Sequence, residues 1–106
     1  MAISNQVVRS GTITAVFTAT NETAITNVFF CNNSDTTGTF LNVYLTPAGV
    51  APSNTGTIII KSLPLPPAET FVFDAEKLVL ANLDTLGAQA TVDGIVIATV
   101  STVVTG

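Results

Sequence analysis

The stretch DTLGAQATVDGIVIATVSTVVT, residues 84–105, holds two alternating runs joined at Asp93-Gly94. In the first run, residues 84–91, Leu86, Ala88 and Ala90 alternate with Thr85, Gln89 and Thr91. A period of two puts these sets on opposite faces of a strand, one apolar and one polar. Asp-Gly is a strong hairpin signal, because such tight turns need positive φ. The second run, residues 95–105, contains the longest apolar stretch, yet Thr99, Ser101 and Thr102 interrupt it. It is far shorter than the ~20 apolar residues of a membrane-crossing helix and reads as a strand.

The same pattern continues toward the N-terminus. Residues 69–74 form a strand with Phe71 and Phe73 on its core face. Asp74-Ala75-Glu76-Lys77 then reads as one helical turn with Asp74 as its N-cap, after which Leu78 and Leu80 close over the sandwich edge. Residues 57–63 form a strand ended by Pro64, Pro66 and Pro67. Residues 47–56 are a loop longer than the usual ~4–6 residues, carrying Pro47 and Pro52, and read equally as a contact arm or as a simple crossing from one sheet to the other.

In residues 39–46, Leu41, Val43 and Leu45 face inward, with Phe40, Asn42, Tyr44 and Thr46 outward. Residues 32–38 are a turn. Residues 23–31 put Ile25, Phe29 and Cys31 on one face and Val28 and Phe30 on the other. Apolar residues on both faces mark a central strand or one that meets a partner. Residues 6–18 read as a single run with Val7, Ile13, Ala15 and Phe17 on its apolar face and Gly11 at a bulge. About seven strands in residues 1–106 predict one all-β domain, an antiparallel two-sheet sandwich of jelly-roll or Ig-like type. No connection is long enough for the helical crossover that a parallel pair needs.

Composition narrows the function classes. Charged residues make up 9% of the 106, against about 25% in an average domain, and Thr, Ser and Asn take their place. Short neutral polar side chains lose little entropy on burial, which favours close assembly with other chains. Only Arg9, Lys61 and Lys77 are basic, and the net charge is −4. Three scattered cations do not neutralise a run of phosphates, which argues against nucleic acid and against an anionic membrane surface. The first residues lack the basic and apolar regions of a signal peptide, and the lone Cys31 has no internal disulfide partner. Both fit folding in a reducing cytoplasm.

Candidate chemistry is sparse. The chain has no His, which removes most general-base schemes and the commonest zinc ligand. Cys31 ends an apolar run and reads as a small buried hydrophobe. Asp74 and Glu76 are the nearest carboxylate pair, and with Asp84 they are the only calcium candidates, without a dense ligand loop around them. No catalytic residue, metal site or cofactor is expected. Phe40 and Tyr44 share an outer face and form the one candidate platform for stacking on a sugar.

The segment Ala68-Glu69-Thr70-Phe71-Val72-Phe73-Asp74-Ala75-Glu76-Lys77-Leu78-Val79-Leu80 resembles small virion-associated proteins of tailed bacteriophages, including cyanophages. In these an Ala/Gly-Glu-Thr-aromatic strand leads to Asp-x-Glu-Lys-Leu-x-Leu. The likeness extends to Asp84-Thr85-Leu86, to Phe30-Cys31-Asn32, to residues 43–47 and to Ala98-Thr99-Val100-Ser101. Such proteins often carry Gly where Leu83 stands. A Leu resists positive φ, so the turn there is expected to differ.

The resemblance implies a non-enzymatic part of the particle, made in the host bacterial cytoplasm and found in the virion. The first expectation is a capsid decoration (cement) protein that bridges capsomers as a homo-oligomer, with a trimer favoured. The expected contacts are Val28, Phe30, Phe40, Tyr44, Pro47, Pro52 and Val72. Alternatives are a neck, tail, baseplate or fibre-associated adaptor, and a carbohydrate-binding module for host attachment.

Overall fold

Leu41, Val43, Leu86, Ala88 and Ala90 point into one interior, as their alternation requires. The computed structural model describes residues 2–51, 56–73 and 78–104. The described residues contain no helix. They form nine strands: β1 (Ala2–Val8), β2 (Thr14–Thr18), β3 (Thr23–Asn32), β4 (Thr39–Thr46), β5 (Ile58–Leu65), β6 (Thr70–Phe73), β7 (Leu78–Leu80), β8 (Thr85–Ala90) and β9 (Val96–Val104).

The first sheet runs β1-β9-β3-β6, with β7 also on β3, and the second runs β2-β8-β4-β5. Every pair is antiparallel. β7 pairs with Thr23–Ile25 of β3 and β6 with Val28–Cys31 of the same strand, so the two lie end to end. Counted as one interrupted strand, they leave two four-stranded sheets in jelly-roll order. The expected sandwich is present, and its topology is the first of the two types considered.

Between the sheets, Val8, Ile25, Val28, Phe30, Val96 and Val100 of the first meet Val16, Leu41, Val43 and Leu86 of the second. Each large side chain withdrawn from water in this way contributes about 1.5–3 kcal/mol.

Several boundaries differ from the sequence reading. The run at residues 6–18 is two strands in different sheets, broken by bends at Ser10-Gly11-Thr12, and its core residues are Val8 and Val16. Pairing with β9 claims its first half and pairing with β8 its second. For the same reason Asp93-Gly94 is a turn, with Gly94 at φ +78°, but not a hairpin: the chain crosses there from the second sheet to the first. The two crossings are tied together. Ser10 N donates to Asp93 Oδ1 at 3.0 Å, Gly94 N to Val8 O at 3.3 Å, and Arg9 faces Asp93 across 3.4 Å.

Pro64 does not end its strand; it lies inside β5 opposite Phe40, tolerated because β5 is an edge. Leu78 and Leu80 belong to a strand rather than a cap. The helical turn expected at residues 74–77 lies outside the described residues.

Two polar residues pin the loops. Asn32, 1% exposed, donates from Nδ2 to Thr37 O (2.9 Å), Leu65 O (3.1 Å) and Pro66 O (3.2 Å), and its Oδ1 accepts from Ser34 N (2.9 Å). It fastens the β3–β4 turn to the end of β5. Asp84 accepts from Ala48 N (2.9 Å) and Ala81 N (3.0 Å). Beside it Leu83 adopts φ +69°, against the expectation that a Leu would avoid it. Hydrogen bonds hold this turn from both sides, Leu83 N to Ala19 O (2.7 Å) and Ala19 N to Asp84 O (3.0 Å). Such over-determination is what lets a strained φ persist.

Candidate functional site

The register of the first sheet lines up its outward residues in transverse rows. One row is Val7, Ile97, Cys31 and Thr70, and the next is Asn5, Thr99, Phe29 and Val72. Ile3, Ser101 and Asn27 form a third, and Val103, Ala24 and Val79 a fourth. No row contains a charged residue. Of the described charged side chains, Lys61 lies on β5 of the second sheet, and Arg9, Glu22, Asp35, Glu69, Asp84 and Asp93 lie outside the strands. Polar groups on this face partner one another: Thr99 Oγ1 donates to Asn5 Oδ1 at 2.8 Å. Of the apolar ones Ile3, Phe29, Val72 and Val79 are exposed, Phe29 at 37% and Val72 at 50%, while Val7, Ala24, Ile97 and Val103 are half-buried.

The second sheet treats its outer face differently. Tyr44 points outward from β4 opposite Gly87 of β8, yet it is fully buried. Residues 9–13, which link β1 to β2, fold across it. Gln89 Nε2 donates to Ser10 O at 2.7 Å, and the Tyr44 hydroxyl makes a long 3.5 Å hydrogen bond to Gln89 Oε1. Ile13 lies so close that a Cβ at Gly87 would stand 3.0 Å from its Cγ2, so glycine is what admits this strap. Next to it a shallow hollow of about 160 Å³ is lined by Ile13, Ala15, Thr46, Val50, Thr85 and Gly87. Thr46, one of these lining residues, has its Oγ1 buried without a hydrogen-bond partner.

The expected contact residues therefore divide. Phe40, Pro47 and Val72 are exposed. Val28 and Phe30 are not outward at all but fully buried in the core. A bulge between Ile25 and Asn27 inserts one residue into β3, and from there on the faces exchange. Phe29 moves to the outer face and Cys31 goes with it, half-buried rather than in the core. Tyr44 is outward in register but covered by the strap, so with Phe40 it offers one exposed ring rather than a two-ring platform. Pro52 lies outside the described residues. The signal that could have found Phe29 is the adjacent polar pair Thr26-Asn27, which breaks the alternation where the bulge sits.

Among the described residues no three His, Cys, Asp or Glu side chains gather where they could hold a metal ion. Asp74 and Glu76 lie outside those residues, and Asp84 is engaged by two backbone amides. Asp93 is likewise engaged, by Arg9 and Ser10. No described helix is long and apolar enough to cross a membrane. No family model, curated protein or solved structure matches this chain.

Proposed function

We propose that this chain is a structural protein of a tailed-phage particle, bound to the capsid shell as a decoration protein. The observation that carries the reading is the uncharged outer face of the first sheet, whose hydroxyl and amide groups lie among exposed apolar side chains. A face of this kind is suited to permanent burial against other protein, since depletion of charge is the mark of an interface centre. The resemblance of residues 68–80 to virion-associated proteins supports it. So does the jelly-roll order, which viral capsid domains use, although that is an analogy of fold alone.

In this role copies associate with one another and with capsomers of the assembled shell. Binding the lattice, and not its separated subunits, stabilises the shell by mass action.

Quantitative mass spectrometry of purified particles of the virus that encodes the chain tests this. Hundreds of copies per particle are expected. About a dozen or fewer would move the protein to the neck, tail, baseplate or fibres, and absence from washed particles would remove it from the virion.

A further inference from the structure

The uncharged face of the first sheet is broad enough to take another protein surface. We infer that its occupant is the same face of a second copy of this chain, so that two molecules pair through their first sheets in a four-layer stack. The inference rests on the assembly reading only in taking the face to be covered by protein; its geometry stands separately.

Charge is the first argument. Each copy carries a net charge of −4, so most ways of bringing two copies together oppose acidic groups. The outer face of the first sheet is a broad surface on which no described charge stands, so two such faces bring no described charge against another. Polar chemistry is the second. With Thr99 already bonded to Asn5 across the strands, and Thr26 Oγ1 donating to Ser101 O, these groups keep hydrogen-bond partners when water leaves. That removes the main penalty of burying them.

Area is the third. β1, β9, β3 and the β6/β7 position run 7, 9, 10 and 4 plus 3 residues, and at about 3.3 Å per residue and about 4.8 Å between strands they make a face of roughly 520 Å². Two copies thus cover roughly 1,000 Å² before side-chain relief is counted, about what a specific interface requires. Sheets of the same twist pack face to face about 30° apart. Phe29, near the centre, and Val72 beside it supply the knobs, with Ile3 and Val79 toward the ends. A face used isologously closes a pair, so the unit is a dimer rather than the trimer expected from the sequence.

Sedimentation velocity of the full chain over a wide concentration range is the test, with Phe29→Glu and Val72→Glu as disrupting variants and Phe40→Ser, on the opposite sheet, as the control. The unchanged chain is expected at twice its 10.9 kDa mass. Each Glu variant should weaken pairing at least 100-fold, with circular dichroism and melting temperature unchanged, and Phe40→Ser should leave pairing intact. A Glu variant that fails to fold is replaced by Val72→Ser, which introduces no charge and is expected to weaken pairing by about tenfold.

A monomeric unchanged chain overturns the inference. So does a trimer, a dimer that survives these substitutions, or a dimer lost only with Phe40→Ser. The particle measurement is independent: a dimer with no copies in particles sinks the virion reading and leaves the pairing, and a monomer abundant in particles does the reverse.

Discussion

The two sheets of this sandwich share a core, a handedness and a similar width, yet they finish their outer faces in opposite ways. The second sheet has a large aromatic on its outside, Tyr44, and the chain spends residues 9–13 roofing it. The first sheet also has an aromatic on its outside, Phe29, which stays 37% exposed among Val, Ile, Thr and Asn. Among the described residues one face is covered by the chain's own backbone and the other is not. Intramolecular cover stabilises the monomer, whereas an uncovered face contributes its burial energy only if another chain covers it, as in the pairing proposed above.

Two substitutions, at Tyr44 and Val72, probe that contrast directly, and two at the turns calibrate it. The largest effect is expected from Tyr44→Ala, which empties the space beneath the strap and should cost about 3–5 kcal/mol, the range for a buried aromatic. Guanidinium unfolding monitored by circular dichroism reads it; a loss under 1 kcal/mol would mean that Tyr44 is not roofed, and the contrast would vanish.

Next comes Asn32→Asp, a change belonging to neither face. It replaces a donor of three hydrogen bonds with a carboxylate directed at the carbonyls of Thr37, Leu65 and Pro66. About 3 kcal/mol should be lost, because buried acceptors then face a like-signed group. For a chain of this size, that lowers the melting temperature by more than 10 °C.

Leu83→Gly should act in the other direction and raise stability by about 1 kcal/mol, since glycine accepts φ +69° without steric penalty. A drop in the melting temperature would show that the Leu83 side chain contributes more than its backbone costs. The smallest effect on folding is expected from Val72→Ser. It should shift the unfolding midpoint of the isolated monomer by no more than about 0.5 kcal/mol, as for exposed positions generally. A larger loss, measured below the concentration at which copies associate, would show that the bare face is part of the monomer's own stability.

The sequence made the sandwich legible because alternation survives wherever a strand is regular. In β4 and β8 the inward sets Leu41, Val43, Leu45 and Leu86, Ala88, Ala90 are those that period two marks. It failed where one residue breaks the count. The bulge at Thr26 exchanges the faces of β3, so Val28 and Phe30 enter the core and Phe29 leaves it. Sheet membership was equally hidden. Nothing in residues 6–18 says that the chain changes layers at Ser10-Gly11-Thr12, because that choice is made by distant partners in β8 and β9. The burial of Tyr44 also depends on a segment more than thirty residues earlier. Of the candidate contacts, Val72 and Phe40 were readable because short regular strands carry them, and the rows to which Val72 belongs emerge only from the register.

The position of β9 bears on how the molecule is made. It lies between β1 and β3 and pairs with both, so the first sheet has no continuous surface until this strand follows all the others out of the ribosome. A nascent chain without β9, however crowded with its siblings on one message, lacks the completed face on which the proposed pairing depends. Synthesis order thus sets when that face can form: only after the last described strand has been added.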